Sequence, residues 1–181
     1  VDELVIKMQR DMEYLHGLRM CEHLINSAHE RGEALICAIF DYFCKFHRDQ
    51  LLGIDGGGIL KVEREVTVSC GRADRVITHR DGSITAVEIK AAGDLRSKAG
   101  GLGQVLMYAE ALRKEHHGKE VRAALVVGGD APGNECLVNA CLRADVAFLP
   151  ITSGYVDKFM SEAKLTWDCF SEIAKNGKQE A

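Results

Sequence analysis

The sequence predicts an α/β protein in which a mixed central β-sheet carries helices on both faces. Three observations predict it. Strand-like runs follow one another between residues 60 and 91, and two of them are joined by Asp81-Gly82, flanked by Arg80 and Ser83, a hairpin signal. A helical stretch then separates Val87-Glu88-Ile89 from the solidly apolar run Val121 to Val127. A meander that feeds a strand–helix–strand crossover puts antiparallel and parallel pairs in one sheet.

Taken in order, residues 3–30 read as a polar, charged helix whose apolar stripe is Leu4, Met8, Leu15, Leu18 and Ile25, with Gly32 at its boundary. Residues 33–47 are apolar nearly all round, so they predict a buried helix packed on the sheet. Gly53 to Gly58 is a flexible connection. It does not lie between a strand and a helix, which argues against a phosphate-cradling loop. Strands follow at 60–69, 73–79 and 84–91. A polar loop over 92–101 leads into a helix over 102–116, stopped by Gly118, with His116 and His117 at the end where positive charge is tolerated. After the strand at 121–127, Pro132 opens a helix to 144. A short strand at 147–151 and a helix over 153–174 complete the order. The expected organisation is one domain, with an N-terminal helix (1–31), a core (32–151), a C-terminal helix (152–175) and a tail (176–181).

Composition narrows the class. A chain of 181 residues with 46% apolar content can bury a core, and no apolar run reaches transmembrane length. The first residues carry no basic-then-apolar export signal, so a cytoplasmic protein without a membrane partner is expected. Seven cysteines, an odd number without tight pairing, read as reduced core thiols. The formal net charge of −4 argues against a simple basic coat for nucleic acid. Its distribution is uneven: residues 61–122 carry twelve Lys/Arg and nine Asp/Glu, net +3, so the remainder carries −7.

That relatively basic segment holds the chemistry. Asp74 lies in Gly71-Arg72-Ala73-Asp74-Arg75-Val76-Ile77, and Glu88 and Lys90 lie in Thr85-Ala86-Val87-Glu88-Ile89-Lys90-Ala91. Alternation on a strand puts Glu88 and Lys90 on one face and Val87 and Ile89 on the core face. Closing the hairpin at Asp81-Gly82 brings Asp74 beside Glu88. Two adjacent carboxylates repel, and a divalent cation relieves the repulsion. Hard oxygen ligands suit Mg2+ or Mn2+, and Lys90 could orient or activate a water. Each residue also has a plainer reading. Asp74 alone suits a strand-end charge beside Arg72 and Arg75, and Glu88 with Lys90 suits a same-face pair. The apolar neighbours Ala86, Val87, Ile89, Ala91 and Ala92 favour a buried strand, where charges need a partner or an ion.

An Asp, a spacer and then Glu-x-Lys resembles the signature of the PD-(D/E)xK nuclease superfamily. Its RecB-like branch reads Glu-x-x-apolar, Gly-Arg-apolar-Asp, Glu/Asp-apolar-Lys and Gln-x-x-x-Tyr. Here these are Glu63-Arg64-Glu65-Val66, Gly71-Arg72-Ala73-Asp74, Glu88-Ile89-Lys90 and Gln104-Val105-Leu106-Met107-Tyr108. Ala73 departs from the usual Pro or larger aliphatic. The likeness spans the order of elements over residues 30–150, with its specific motifs between Glu63 and Tyr108. It implies a restriction-endonuclease-like core and a metal-dependent DNA nuclease leaving 5′-phosphate and 3′-hydroxyl ends. Asp74, Glu88 and the Ile89 carbonyl would hold Mg2+, with Mn2+ able to substitute. Lys90 would position the attacking water, Gln104 would brace the site and Tyr108 would contact the DNA backbone. Small members of the superfamily are often dimers or rings, so a homo-oligomer is expected.

Other residues keep two readings each. Glu33 opens the buried helix, where related nucleases often place a metal ligand and where a helix dipole favours an acid anyway. Glu63 and Glu65 share a strand face and either approach the metals or stay solvated. Arg96 and Lys98, in the predicted glycine-flanked loop, either clamp the phosphate backbone with Arg72 or keep the loop soluble. An iron–sulfur cluster is not expected, because Cys136, Cys141 and Cys169 lack a Cys-x2-Cys element. Zinc through Cys21, His23 and His29 is not expected either, because Cys21 and His23 do not share a helical face and no fourth ligand is evident. The rival function is a non-catalytic nucleic-acid-binding scaffold, or a subunit of a larger recombination complex. The intact Asp74, Glu88, Lys90 set speaks against the scaffold.

Overall fold

The computed structural model describes residues 32–91, 95–129 and 134–162. The helix expected over 3–30, the expected helix start at Pro132, residues 163–174 of the final helix and the tail lie outside the described residues. Within them, five strands form one sheet in the order β1 (Ile59–Val68), β2 (Gly71–His79), β3 (Ile84–Lys90), β4 (Val121–Gly128) and β5 (Val146–Ile151). The first three pair antiparallel, and β3, β4 and β5 run parallel. Helix α1 (Gly32–Phe46) precedes the sheet, α2 (Leu95–Glu115) crosses from β3 to β4, and α3 (Glu135–Arg143) crosses from β4 to β5. Residues 153–162 are helical again.

The sheet is mixed and helices flank both its faces, as the sequence predicts. On one face Ile39, Phe40 and Phe43 of α1 and Phe159 pack against Ile77, Val87, Ile89, Val126 and Leu149. On the other, Val105, Tyr108 and Leu112 of α2 and Leu137 and Cys141 of α3 cover Val76, Ala86, Leu125 and Val127. Strands β3 and β4 are covered on both sides, which is why they read as nearly unbroken apolar runs. Each fully buried aromatic or aliphatic side chain contributes roughly 1.5–3 kcal/mol relative to exposure. The helical segment 153–162 is pinned to α1 by Glu162, whose carboxylate accepts from the Tyr42 hydroxyl at 2.5 Å and pairs with the His47 ring.

The hairpin closes where the sequence places it. Gly82 sits at φ +85°, and the Asp81 carboxylate accepts the Ser83 N–H at 2.8 Å and its hydroxyl at 2.7 Å. That turn fixes the register Thr78↔Ile84 through Arg75↔Val87. One boundary is corrected: the polar stretch expected to be a loop up to residue 101 is helical from Leu95. Gly100, Gly101 and Gly103 are weak helix formers. Burial of Gly101, Val105, Tyr108 and Leu112 along one side stabilises the helix in spite of them. The thiol expectation is half met. Cys37, Cys44, Cys70, Cys136 and Cys141 are free, but Cys70 and Cys136 are exposed and only Cys44 and Cys141 are buried. No helix among the described residues is long and apolar enough to cross a membrane.

One buried ion pair ties α1 to β2. The Arg75 guanidinium donates from Nε to Asp41 Oδ1 at 2.7 Å and from a terminal nitrogen to Oδ2 at 2.9 Å, and both side chains are under a tenth exposed. Such a fork matches a carboxylate in both distance and plane. Truncating one partner strands the other charge in the interior. Asp41→Ala is therefore expected to lower stability by about 3–5 kcal/mol. Glu63→Ala, which breaks the exposed pair with Lys61, should change it by less than about 1 kcal/mol. Urea denaturation of both variants checks this, and equal effects would show that the Asp41–Arg75 pair is not a structural anchor.

Candidate active site

The site forms where the β2–β3 ladder stops. Continuing the register past Arg75↔Val87 would set Asp74 opposite Glu88 and pair Ala73 with Ile89. Instead Asp74 Oδ2 accepts the Ile89 N–H at 2.7 Å, so a side chain replaces the main-chain partner. β2 meanwhile stays paired with β1, through Val66↔Ala73 to Val68↔Gly71. A strand residue sends its N–H and C=O to the same side, so the Ile89 carbonyl faces the Asp74 side as well.

Glu88 and Lys90 point toward α2, while Val87 and Ile89 are fully buried against α1. Glu88 is only 3% exposed. Its Oε1 accepts from Lys90 Nζ at 2.6 Å, and its Oε2 is buried with no hydrogen-bond partner. A carboxylate oxygen left in that state is expensive unless a proton or a cation completes it. Burial pushes the Glu88 carboxyl up to about 7; the Lys90 ammonium pulls down, and the negative charges of Asp74 and Glu33 add to the rise. Burial also works against the Lys90 ammonium. The hydrogen bond and charge of Glu88, with Glu33 and Asp74, outweigh it and move Lys90 above its ordinary value. Beside burial, both groups feel the same imbalance: the charges of three carboxylates act on one ammonium, so the locale holds excess negative charge and attracts positive charge.

The remaining candidates fall into place around this core. Glu33 lies in the first turn of α1, exposed, and close enough to act on both Glu88 and Lys90. Tyr108 is buried, and its hydroxyl titrates higher than usual through burial and the nearby charges of Glu88 and Asp74. Its ring lies over Gly71, at φ +151°, where a Cβ would come within 3.1 Å of the ring. Gln104 is exposed one helical turn before Tyr108. Arg72 is exposed and paired with Glu65 at 2.7 Å, and Glu63 is paired with Lys61, so both strand acids go to surface ion pairs. Arg75 donates to the Asp74 main-chain carbonyl at 2.6 Å and spends its other donors on Asp41, which leaves the Asp74 carboxylate to Ile89.

Arg96 and Lys98 need correcting. They lie in the first turn of α2 and not in a loop. Arg96 is exposed, but Lys98 is buried, its Nζ 3.1 Å from Asn134 Oδ1, and is not presented to solvent as a phosphate clamp. Asp41 and Gly101 were missed as supports of the site. The Gly100-Gly101-Leu102-Gly103 run was the available signal for Gly101. Among the described residues, no three His, Cys, Asp or Glu side chains form a ready cage for a metal ion. Two carboxylates with a carbonyl are nonetheless a fitting donor set for Mg2+, which keeps several waters and takes few protein ligands. Cys21, His23, His29 and Cys169 lie outside the described residues.

No protein-family model matches this chain, and no curated protein matches it. Two solved structures are similar over part of it. One is a repair endonuclease from Pyrococcus abyssi, 25% identical with a TM-score of 0.42, over 52% of this chain and 39% of that one. The other is the EndoMS–dsDNA2 complex, 18% identical with a TM-score of 0.46, over 63% of this chain and 43% of that one. This chain thus spans about two fifths of the length of either protein. What the site can do follows from its own residues.

The Glu88 environment has a measurable consequence. A carboxyl whose native pKa lies above its unfolded value binds more protons in the native state between the two. Its contribution to stability is therefore full below about 4.5, falls as pH rises to about 7 and is flat above. Glu88→Gln should remove that slope. The stability of the variant relative to wild type is expected to grow through this window, by up to about 3 kcal/mol. Urea denaturation in EDTA between pH 4 and 8 measures it. A difference that shrinks toward neutral pH would overturn the assignment.

Proposed function

We propose that this protein is a metal-dependent deoxyribonuclease of the PD-(D/E)xK type, hydrolysing phosphodiester bonds of DNA. The observation that carries the reading is the buried, partnerless Glu88 Oε2 beside Asp74, in a locale where three carboxylates face the Lys90 ammonium. Asp74, Glu88 and the Ile89 carbonyl would hold Mg2+ or Mn2+, with Glu33 near enough to add charge. The bound cation supplies Lewis acidity toward the scissile phosphate and stabilises the leaving oxygen.

The chain's own groups do the rest. Lys90, anchored on Glu88 Oε1, orients the attacking water and offsets charge developing on the phosphate oxygens. Water oxygen bonds to phosphorus and gives up a proton to solvent, the P–O3′ bond breaks, and the departing oxygen takes a proton from solvent, leaving a 3′-hydroxyl and a 5′-phosphate. Asp74 is held in orientation by the Ile89 N–H, so one of its oxygens is committed and the other would be the metal ligand. Gln104 is exposed on α2 and can donate to phosphate oxygens, exposed Arg72 and Arg96 supply positive charge nearby, and Tyr108, buried over Gly71, is not presented to the DNA backbone. The order of the four motifs supports DNA as the substrate, as does the net +3 of residues 61–122.

The test uses circular plasmid, linear duplex and circular single-stranded DNA, each with Mg2+, Mn2+ or EDTA. Wild type should cut with either metal and stop in EDTA. Glu88→Ala and Lys90→Ala should each lose about 10²-fold or more of the rate. Cutting of closed circles identifies an endonuclease, and cutting of the linear substrate alone an exonuclease. Metal-independent cutting, or cutting that survives both substitutions, would remove the proposal. No cutting by a folded protein that still binds DNA would favour the non-catalytic scaffold.

A further inference from the structure

We infer that Gly101 is a positioning residue for Lys90: the missing side chain at this point of α2 makes the slot in which the lysine stem lies. A Cβ built on Gly101 would stand 2.9 Å from Lys90 Cγ, 3.1 Å from Lys90 Cε and 3.0 Å from Leu125 Cδ1. Carbon atoms prefer about 3.5–4.0 Å, so all three contacts are too short. None of them is to backbone. The group that yields most easily is the flexible lysine stem, and moving it breaks the 2.6 Å bond to Glu88 Oε1. Glu88 would then be buried with both oxygens unpartnered.

The neighbouring glycines sharpen the inference. Gly100 and Gly103 lie in the same helix, and a Cβ on either meets nothing within 4 Å. Alanine forms helix better than glycine, so backbone considerations favour Ala at all three sites equally. Only Gly101 is buried, and only Gly101 touches a side chain of the proposed active site. The Lys90 side chain is 17% exposed, so most of its stem is covered where it passes Gly101. The catalytic consequence rests on the proposed role of Lys90; the positioning itself does not.

The experiment compares Gly100→Ala, Gly101→Ala and Gly103→Ala with wild type in three readouts. The first is the 15N–1H correlation of the Lys90 ammonium, assigned by its loss in Lys90→Arg. It should shift or vanish in Gly101→Ala and stay in place in the other two. The second is steady-state cleavage of plasmid with Mg2+: kcat should fall about 10- to 100-fold in Gly101→Ala with KM little changed, as displacement of a reacting group by about 1 Å produces. The third is a stability cycle with Lys90→Ala. The midpoint lost on introducing Ala at 101 should be recovered when Lys90 is truncated, including the case in which Gly101→Ala folds only in the Lys90→Ala background. An unmoved Lys90 signal in folded Gly101→Ala would overturn the inference. So would an equal loss of stability, or of folding, in both backgrounds, which would assign the conflict to Leu125. Should wild type not cleave DNA, the nuclease proposal fails while the first and third readouts still decide this one.

Discussion

Everything at the proposed active centre depends on β2 leaving β3 while staying paired with β1. A regular ladder would pair Ala73 with Ile89 and close the sheet over the acids. The Asp74 carboxylate takes the Ile89 N–H instead, so the main-chain donor is satisfied without the strand. One hydrogen bond therefore does two things. It removes the penalty of an unpaired amide at the end of a buried strand, and it holds the Asp74 carboxylate at the residue next to Glu88. Arg75, one residue on, faces the other way and holds β2 to α1 through Asp41, so β2 is anchored where the ladder ends.

Charge explains why this arrangement is costly and what it is suited for. A buried Glu88 with one oxygen on Lys90 and one on nothing is a poor structural ion pair, because desolvation is only half repaid. Asp74 and Glu33 make matters worse by adding negative charge. The same features attract positive charge, as the proposed metal site requires. Local destabilisation of this kind is characteristic of functional sites.

The packing of α2 is the second constraint. The helix crosses the sheet with its glycine-containing first half against the Lys90 stem and its second half, through Val105, Tyr108 and Leu112, in the core. Two close approaches fix its position: Gly101 against Lys90 and Leu125, and Tyr108 over Gly71. Core and site therefore share one helix, and a small shift of α2 moves both a core layer and Lys90.

The sequence by itself determined the order of elements, because alternation, turn residues and apolar runs are local signals. Asp81-Gly82 set the hairpin and with it the approach of Asp74 to Glu88; the Val87 and Ile89 alternation set which face the acid and lysine occupy. Tertiary structure decided what depends on contacts distant in the chain. Leu95–Gly101 reads as a loop, since two glycines and several polar residues lower helix propensity, and packing on β3 and β4 makes it helical. Lys98 looked available for phosphate and is buried on Asn134. Asp41 carried no signal at all, being one acid in an apolar helix until β2 brings Arg75 to it across 34 residues. The end of the β2–β3 ladder was equally invisible, because whether a carboxylate replaces a backbone partner is settled by where two strands part, and that is a property of the assembled sheet.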